Sequence, residues 1–308
     1  MSLSALPAQA VWTEKYRPSR LADIKGHRRI KALFEHGVRA KFVGFPPVIL
    51  YGPPGTGKTS LALALATETY PDTSPSISTL YLNASDERSI EVIRERIIQF
   101  TRTTWPTVQR KFVVFDEVET MTEPAQASLR ALLDEVDRDG HTTAPLFLFL
   151  CNSLYRVHQS LRSRCVALFC GHVPINYVRE ALLEIQHAEG VAEPRLPSDT
   201  TFSLLRGDMR SFVAAIQNDA ELNPWDDWFA ELERTRGTAV WEAGLSRAPF
   251  CILIRHVFLW MNTHGMLDVA GAAEFIDTCL SVQDAPQSVI ATVVSAAFDR
   301  LRGAGAQN

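Results

Sequence analysis

A chain of 308 residues, 46% of them hydrophobic and 21% charged, has the length for two or three cores and the composition of a globular protein, which excludes a fibre or a disordered segment. The formal charge of -4 excludes a surface that is basic throughout and leaves only local patches for contact with nucleic acid. Five cysteines, none in a CxxC pair, fit reduced thiols in a cytosolic or nuclear compartment and give neither a disulfide framework nor a zinc site.

The opening stretch MSLSALPAQAVW has no basic run followed by a long apolar segment, so no secretory signal is expected. No membrane segment is expected either: PLFLFLC at 145–151 is too short, and FCILIRHVFLWM at 250–261 is interrupted by Arg255 and His256. Helical spacing in RRIKALFEHGVRAK leads into the apolar run FPPVILYG, and comparable runs return at TLYLNA, KFVVFDEV, APLFLFLCN and CVALFC. Between these five strands lie KTSLALALATETY, RSIEVIRERIIQF and PAQASLRALLDEVD, each with helical spacing. The alternation predicts an α/β domain over residues 1–170, with a mainly parallel five-stranded sheet covered by helices. From Pro174 onward the amphipathic segments INYVREALLEIQHAEG and DMRSFVAAIQNDA predict a small helical domain over 171–222. NPWDDW marks a boundary, and the long apolar faces that follow predict a third, all-helical domain over 223–308.

The segment GPPGTGKT, with Gly52, Pro53, Pro54, Gly55, Thr56, Gly57, Lys58 and Thr59, meets the full phosphate-loop pattern, follows a strand and opens a helix continued by Ser60. Its glycines let backbone N–H groups wrap an anion at a helix N-terminus. Lys58 is placed for the β- and γ-phosphates, and Thr59 for a hydroxyl on Mg2+. The strand Phe112 to Phe115 delivers Asp116 and Glu117 to the sheet edge where open α/β sheets bind ligands. Asp116 suits Mg2+ and Glu117 suits orienting an attacking water, which points to ATP hydrolysis. Asn152 stands at the end of the next apolar strand, either beside the same water or as a turn cap.

Six blocks, VWTEKYRPSRLADIKGH, YGPPGTGKTS, LNASDERSIEVIRERI, FDEVETMTEPAQASLRALLDE, CNSLYRVHQSLRSRC and GDMRSFVAAIQ, resemble in order and spacing the small subunits of replication factor C, the sliding-clamp loaders. The likeness runs from Val11 to Gln217; beyond it the chain resembles the family only in being helical. It implies an AAA+ module with a helical lid and a helical collar, in a heteropentamer that loads a sliding clamp onto primer-template DNA without reading sequence. A nuclear location is implied for a eukaryotic chain and a cytoplasmic one otherwise. A mainly structural, weakly hydrolysing subunit and another AAA+ remodelling ATPase are the alternatives.

The resemblance also assigns residues. Arg164 of SLRSRC is implied as a catalytic cation acting in trans on the neighbouring subunit's ATP, whereas Arg162 reads as a solvated helix end. Arg210, in the first turn of a lid helix, is implied to reach the γ-phosphate or else to be a surface arginine. Val11, Tyr16, Arg17 and Ile24 are implied near the adenine. Asn83 is implied to restrain Glu117 until DNA binds, or to form a turn. Arg88, Arg94 and Arg130 are implied on DNA phosphates, although the interleaved Glu87, Glu91 and Glu95 also fit a solvated helix with i,i+4 ion pairs. The chain departs from the family at Lys25, His27 and Ser89, and in DEVE where the family has DEAD.

Overall fold

A computed structural model describes residues 11–84, 90–138, 144–204, 207–219, 222–223, 226–234, 238–247, 253–254, 257–258, 260–261, 269–282 and 285–305. The chain divides into two compact units. The first comprises residues 1–181 with 208–214, and the second 182–207 with 215–308.

The first unit is built on five strands, β1 (Val48–Tyr51), β2 (Thr79–Asn83), β3 (Phe112–Asp116), β4 (Leu146–Cys151) and β5 (Val166–Phe169). They pair in the order β2-β3-β4-β1-β5, and every pairing is parallel. The central strands are unbroken apolar runs because helices cover both faces of the sheet. Alternation sends Val48, Leu50, Phe112, Val114, Leu148 and Leu150 to one face, where they pack with α2 (Arg28–Arg39) and α3 (Lys58–Thr69). Ile49, Val113, Phe115, Phe147 and Phe149 face the other way, against Ile93 and Ile97 of α5 (Ile90–Arg102) and Leu129, Leu132 and Leu133 of α6 (Glu123–Arg138). Ile93 and Ile97 are therefore core, as their spacing predicts. Burial of each such Leu, Ile or Phe contributes about 1.5–3 kcal/mol. Phe149→Ala, at the centre of the sheet and stacked on Phe115 and Phe147, would cost about 3–5 kcal/mol.

The regular elements among the described residues of the second unit are helices, including α9 (Asp199–Leu204), α11 (Asp226–Arg234), α12 (Thr238–Arg247) and helices over Val269–Val282 and Gln287–Gly305. Their core gathers Trp228, Phe229, Trp241, Trp260, Phe275 and Phe298. The indole of Trp228 donates to the Val240 carbonyl at 2.8 Å, which satisfies its polar edge inside that core. Among the described residues no helix is long and apolar enough to cross a membrane.

Candidate nucleotide site

β1 ends at Tyr51 and the chain turns at once through Gly52, whose φ is +149°; a Cβ there would overlap the Cys170 carbonyl at the end of β5. Gly55, at φ +67°, meets the Asp208 carboxylate so closely that it also has no room for a side chain. The loop between them thus keeps its backbone at the surface of the sheet edge. Gly57 at φ +90° starts α3, and Lys58 is its first residue. Thr56 is buried and donates to the Pro53 carbonyl at 2.9 Å, while the His27 ring lies with Nε2 2.8 Å from the Thr56 carbonyl. Since that partner is a carbonyl, Nε2 carries the proton.

Lys58 is only 9% exposed. Its ammonium donates to the Gly52 carbonyl at 2.7 Å, the Pro53 carbonyl at 2.8 Å and Asn152 Oδ1 at 3.0 Å. Burial pulls its pKa down, and the nearby Asp116 and Glu119 carboxylates oppose that shift. Asn152 therefore stands at the phosphate loop, where its place in the sequence put it. Its own N–H donates to Glu119 Oε1 at 2.7 Å, and Glu119 Oε2 is buried without a hydrogen-bond partner. Glu119 thereby ties the turn after β3 to the turn after β4.

Asp116 ends β3 and accepts from three donors: Thr59 Oγ1 at 2.9 Å and the Tyr81 hydroxyl at 2.5 Å, both on Oδ2, and the Glu117 N–H at 3.0 Å on Oδ1. Burial, then the hydrogen bond to Asp116, raises the Tyr81 pKa, which keeps the phenol a donor. Glu117 is exposed and left-handed, at φ +56°, so the chain turns away from the sheet at this residue. Asn83 is the register partner of Asp116 on β2.

The Thr59 hydroxyl and the Asp116 carboxylate are hard oxygen ligands side by side, the donor set Mg2+ prefers. Among the described residues no group of three or more His, Cys, Asp or Glu side chains could hold a metal alone. Such a pair suits a cation whose remaining ligands are phosphate oxygens and water. The residues present fit the ion.

At α10 (Met209–Gln217), Asp208 caps the helix by accepting from the N–H groups of Arg210 at 3.0 Å and Ser211 at 3.3 Å. The contact of Asp208 with Gly55 brings this helix start, and with it exposed Arg210, to the phosphate loop. Ile24 is buried, and its Cγ2 lies 3.9 Å from where a Cβ on Gly57 would stand. Val11 is 56% exposed, Tyr16 follows the short helix α1 (Trp12–Lys15), and Arg17 pairs with Glu14.

Arg164 follows the short helix α7 (Gln159–Arg162), is half-exposed, and pairs with Asp134 of α6 at 2.9 Å. Asp134 also lies 3.8 Å from Arg130. Arg162 differs from the expected solvated helix end: it is partly buried, with Nε enclosed and without a hydrogen-bond partner, because α7 packs on α6. Arg94 makes a bidentate pair with Glu135, at 2.7 Å from Nη2 and 3.1 Å from Nε. That partner sits on α6. Arg88 and Ser89 lie outside the described residues.

Tyr81, Glu119, His27 and Asp208 were not singled out as site residues by sequence reasoning. Tyr81 had one usable signal, since it lies two residues before Asn83 on the same face of the strand.

The strand order, with a phosphate loop after β1 and paired acids after β3, defines a P-loop ATPase domain of the AAA class. Residues 48–170 match the model for the ATPase family associated with various cellular activities. Replication factor C small subunit 1 of Pyrobaculum islandicum is 35% identical over 218 residues, which are 70% of this chain and 64% of the relative. Replication factor C subunit 3 of Oryza sativa is 35% identical over 222 residues, 70% of this chain and 59% of the relative. The chain is similar to replication factor C subunits over about 70% of its own length and spans less than two thirds of these relatives' length. The Holliday junction branch migration motor RuvB of Thermotoga maritima is 16% identical, with a TM-score of 0.50 over 86% of this chain and 80% of that one, a likeness of fold.

Proposed function

We propose that this chain is an ATP-hydrolysing subunit of a hetero-oligomeric clamp loader, which helps open a sliding clamp and place it on primer-template DNA. The observation that carries the reading is the convergence of Lys58, Asn152, Thr59 and Asp116 at one sheet edge, with exposed Glu117 next to them. Lys58, already turned toward the loop, would bind the β- and γ-phosphates in place of the carbonyls it now contacts. Thr59 and Asp116 would hold Mg2+, which supplies charge neutralisation on the phosphoryl oxygens when bound. Glu117 would orient the attacking water and accept its proton, with Asn152 fixing the water from the next strand. Arg210 would report on the γ-phosphate from the helix start next to Gly55. Arg164 would complete the neighbour's site in trans.

Tyr16, Arg17, Val11 and Ile24 would line the adenine side, and Asn83 would restrain Glu117. Arg88, Arg94 and Arg130 would meet DNA phosphates. In this reading residues 1–170 form the ATPase domain, 171–222 the lid and 223–308 the collar that joins five subunits; the protein works in the nucleus if eukaryotic and in the cytoplasm otherwise. Radiolabelled ATP turnover by the assembled complex, with Glu117→Gln in this subunit alone, tests the reading. Loss of one site's share of turnover, with clamp still co-purifying, supports it; unchanged turnover makes the subunit structural, and absence of a clamp removes the loader assignment.

A further inference from the structure

The geometry points to Tyr81 as a positioning residue for the metal-binding carboxylate, one that sets how tightly the nucleotide-bound divalent cation is held. The inference rests on Asp116 serving a Mg2+ ion that accompanies ATP, as proposed above.

Tyr81 pairs in register with Val114, and Asp116 lies two residues farther along β3 on the same face. A short side chain at position 81 would fall short of that carboxylate; the phenol spans the diagonal and donates at 2.5 Å. The bond is specific to Oδ2, the oxygen that also accepts from Thr59. Oδ1 is engaged by the Glu117 N–H. Three donors therefore fix both the rotamer and the tilt of one carboxylate. Two of them belong to the phosphate loop's own helix and to the turn after β3, so they are supplied by the motifs themselves. The third comes from an edge strand outside both motifs.

A carboxylate that meets a cation through water must present its lone pairs in a fixed direction, because Mg2+ tolerates little departure from octahedral geometry. Hydrogen bonds behind metal-facing groups supply that direction, and losing one weakens metal binding by about 10–100-fold. Tyr81 occupies that place here. Tyr81 is 40% exposed, so core packing alone does not fix its side chain.

The test is a titration of the full chain with Mg2+ at fixed fluorescent ATP analogue, repeated with Mn2+ followed by electron paramagnetic resonance. Tyr81→Phe removes only the hydroxyl, and Tyr81→Leu keeps an apolar strand residue without ring or donor. Both are expected to raise the half-saturating Mg2+ and Mn2+ concentrations about tenfold or more, while affinity for the analogue in excess chelator stays at the wild-type value. Unchanged half-saturation in Tyr81→Phe overturns the inference, and so does a shift confined to Tyr81→Leu, which would assign the effect to the ring. Wild-type chain that binds the analogue but shows no response to either cation would instead remove the metal role of Asp116.

Discussion

Arg164 and Asp134 of the same chain form an ion pair at 2.9 Å, at a position where the arginine is still half-exposed. A guanidinium that acts on a neighbour's ATP must leave this carboxylate or share it. Exposed pairs of this kind are worth about 0–1 kcal/mol, which is small beside the charge developing on a transferred phosphoryl group.

Arg164→Ala is therefore expected to leave nucleotide affinity at this chain's own loop unchanged and to slow hydrolysis at the adjacent site by about 10³–10⁵-fold. Arg164→Lys should fail similarly, because a point ammonium lacks the planar fork. Asp134→Asn should leave the neighbour's turnover intact, since it removes only the resting partner. The measurement is turnover in a mixed assembly whose only hydrolysing subunit is that neighbour; a defect that follows this chain's own loop would assign Arg164 to its own site.

Arg94 stands in a similar position with respect to DNA. Its bidentate pair with Glu135 raises its pKa through the hydrogen bonds and the charge of that carboxylate, so a phosphate has to compete with an existing partner. Glu135→Gln is expected to tighten DNA binding by the assembled complex and to steepen its salt dependence, whereas Arg94→Ala should reduce the log–log slope by about one for a duplex contact. Binding isotherms at three salt concentrations decide it. If neither substitution moves the slope, Arg94 faces solvent in the complex.

The frame of the candidate nucleotide site was legible in the sequence because its parts are contiguous: one glycine-rich run sets backbone and lysine, and one apolar strand carries two acids to its end. The five strands, their parallel pairing and the covering helices followed from the same local periodicities, whereas the strand order β2-β3-β4-β1-β5 did not. The supporting residues were not legible, because each depends on register or on loops meeting in space. Tyr81 reaches Asp116 only through the β2–β3 pairing, Glu119 reaches Asn152 across two strand ends, and Asp208 reaches Gly55 from more than 150 residues away. Arg94 likewise reaches Glu135 only through the packing of α5 on α6.

Glu119 gives a sharper test of the site than the motif residues. Its Oε1 holds the Asn152 N–H at 2.7 Å, and Asn152 Oδ1 in turn receives Lys58. A hydrogen bond to a charged group contributes about 1.5–3 kcal/mol, so Glu119→Ala should lower kcat by about 10–100-fold with little change in KM. Glu119→Gln keeps an acceptor in place and should recover most of the loss. A rise in KM at constant kcat would mean that Glu119 supports ground-state binding and not the placement of Asn152.

The last test concerns His27, whose ring donates to the Thr56 carbonyl inside the phosphate loop. Burial lowers its pKa below 6.5, the neighbouring Lys31 and Lys58 charges lower it further, and the hydrogen bond to Thr56 only partly offsets them. The folded protein thus holds the imidazole neutral, and the unfolded chain takes up the proton first as pH falls. Stability is consequently complete above about pH 6.5 and declines below it, by at most about 1.4 kcal/mol per pH unit for this one group. His27→Gln keeps a donor of similar reach and has nothing to titrate. Thermal melting at pH 7.5 and pH 5.5 is expected to show a larger acid-side loss in the wild type than in His27→Gln. Equal losses in the two proteins would place the acid sensitivity elsewhere, and a greater loss in the variant would reverse the assigned direction of the His27 shift.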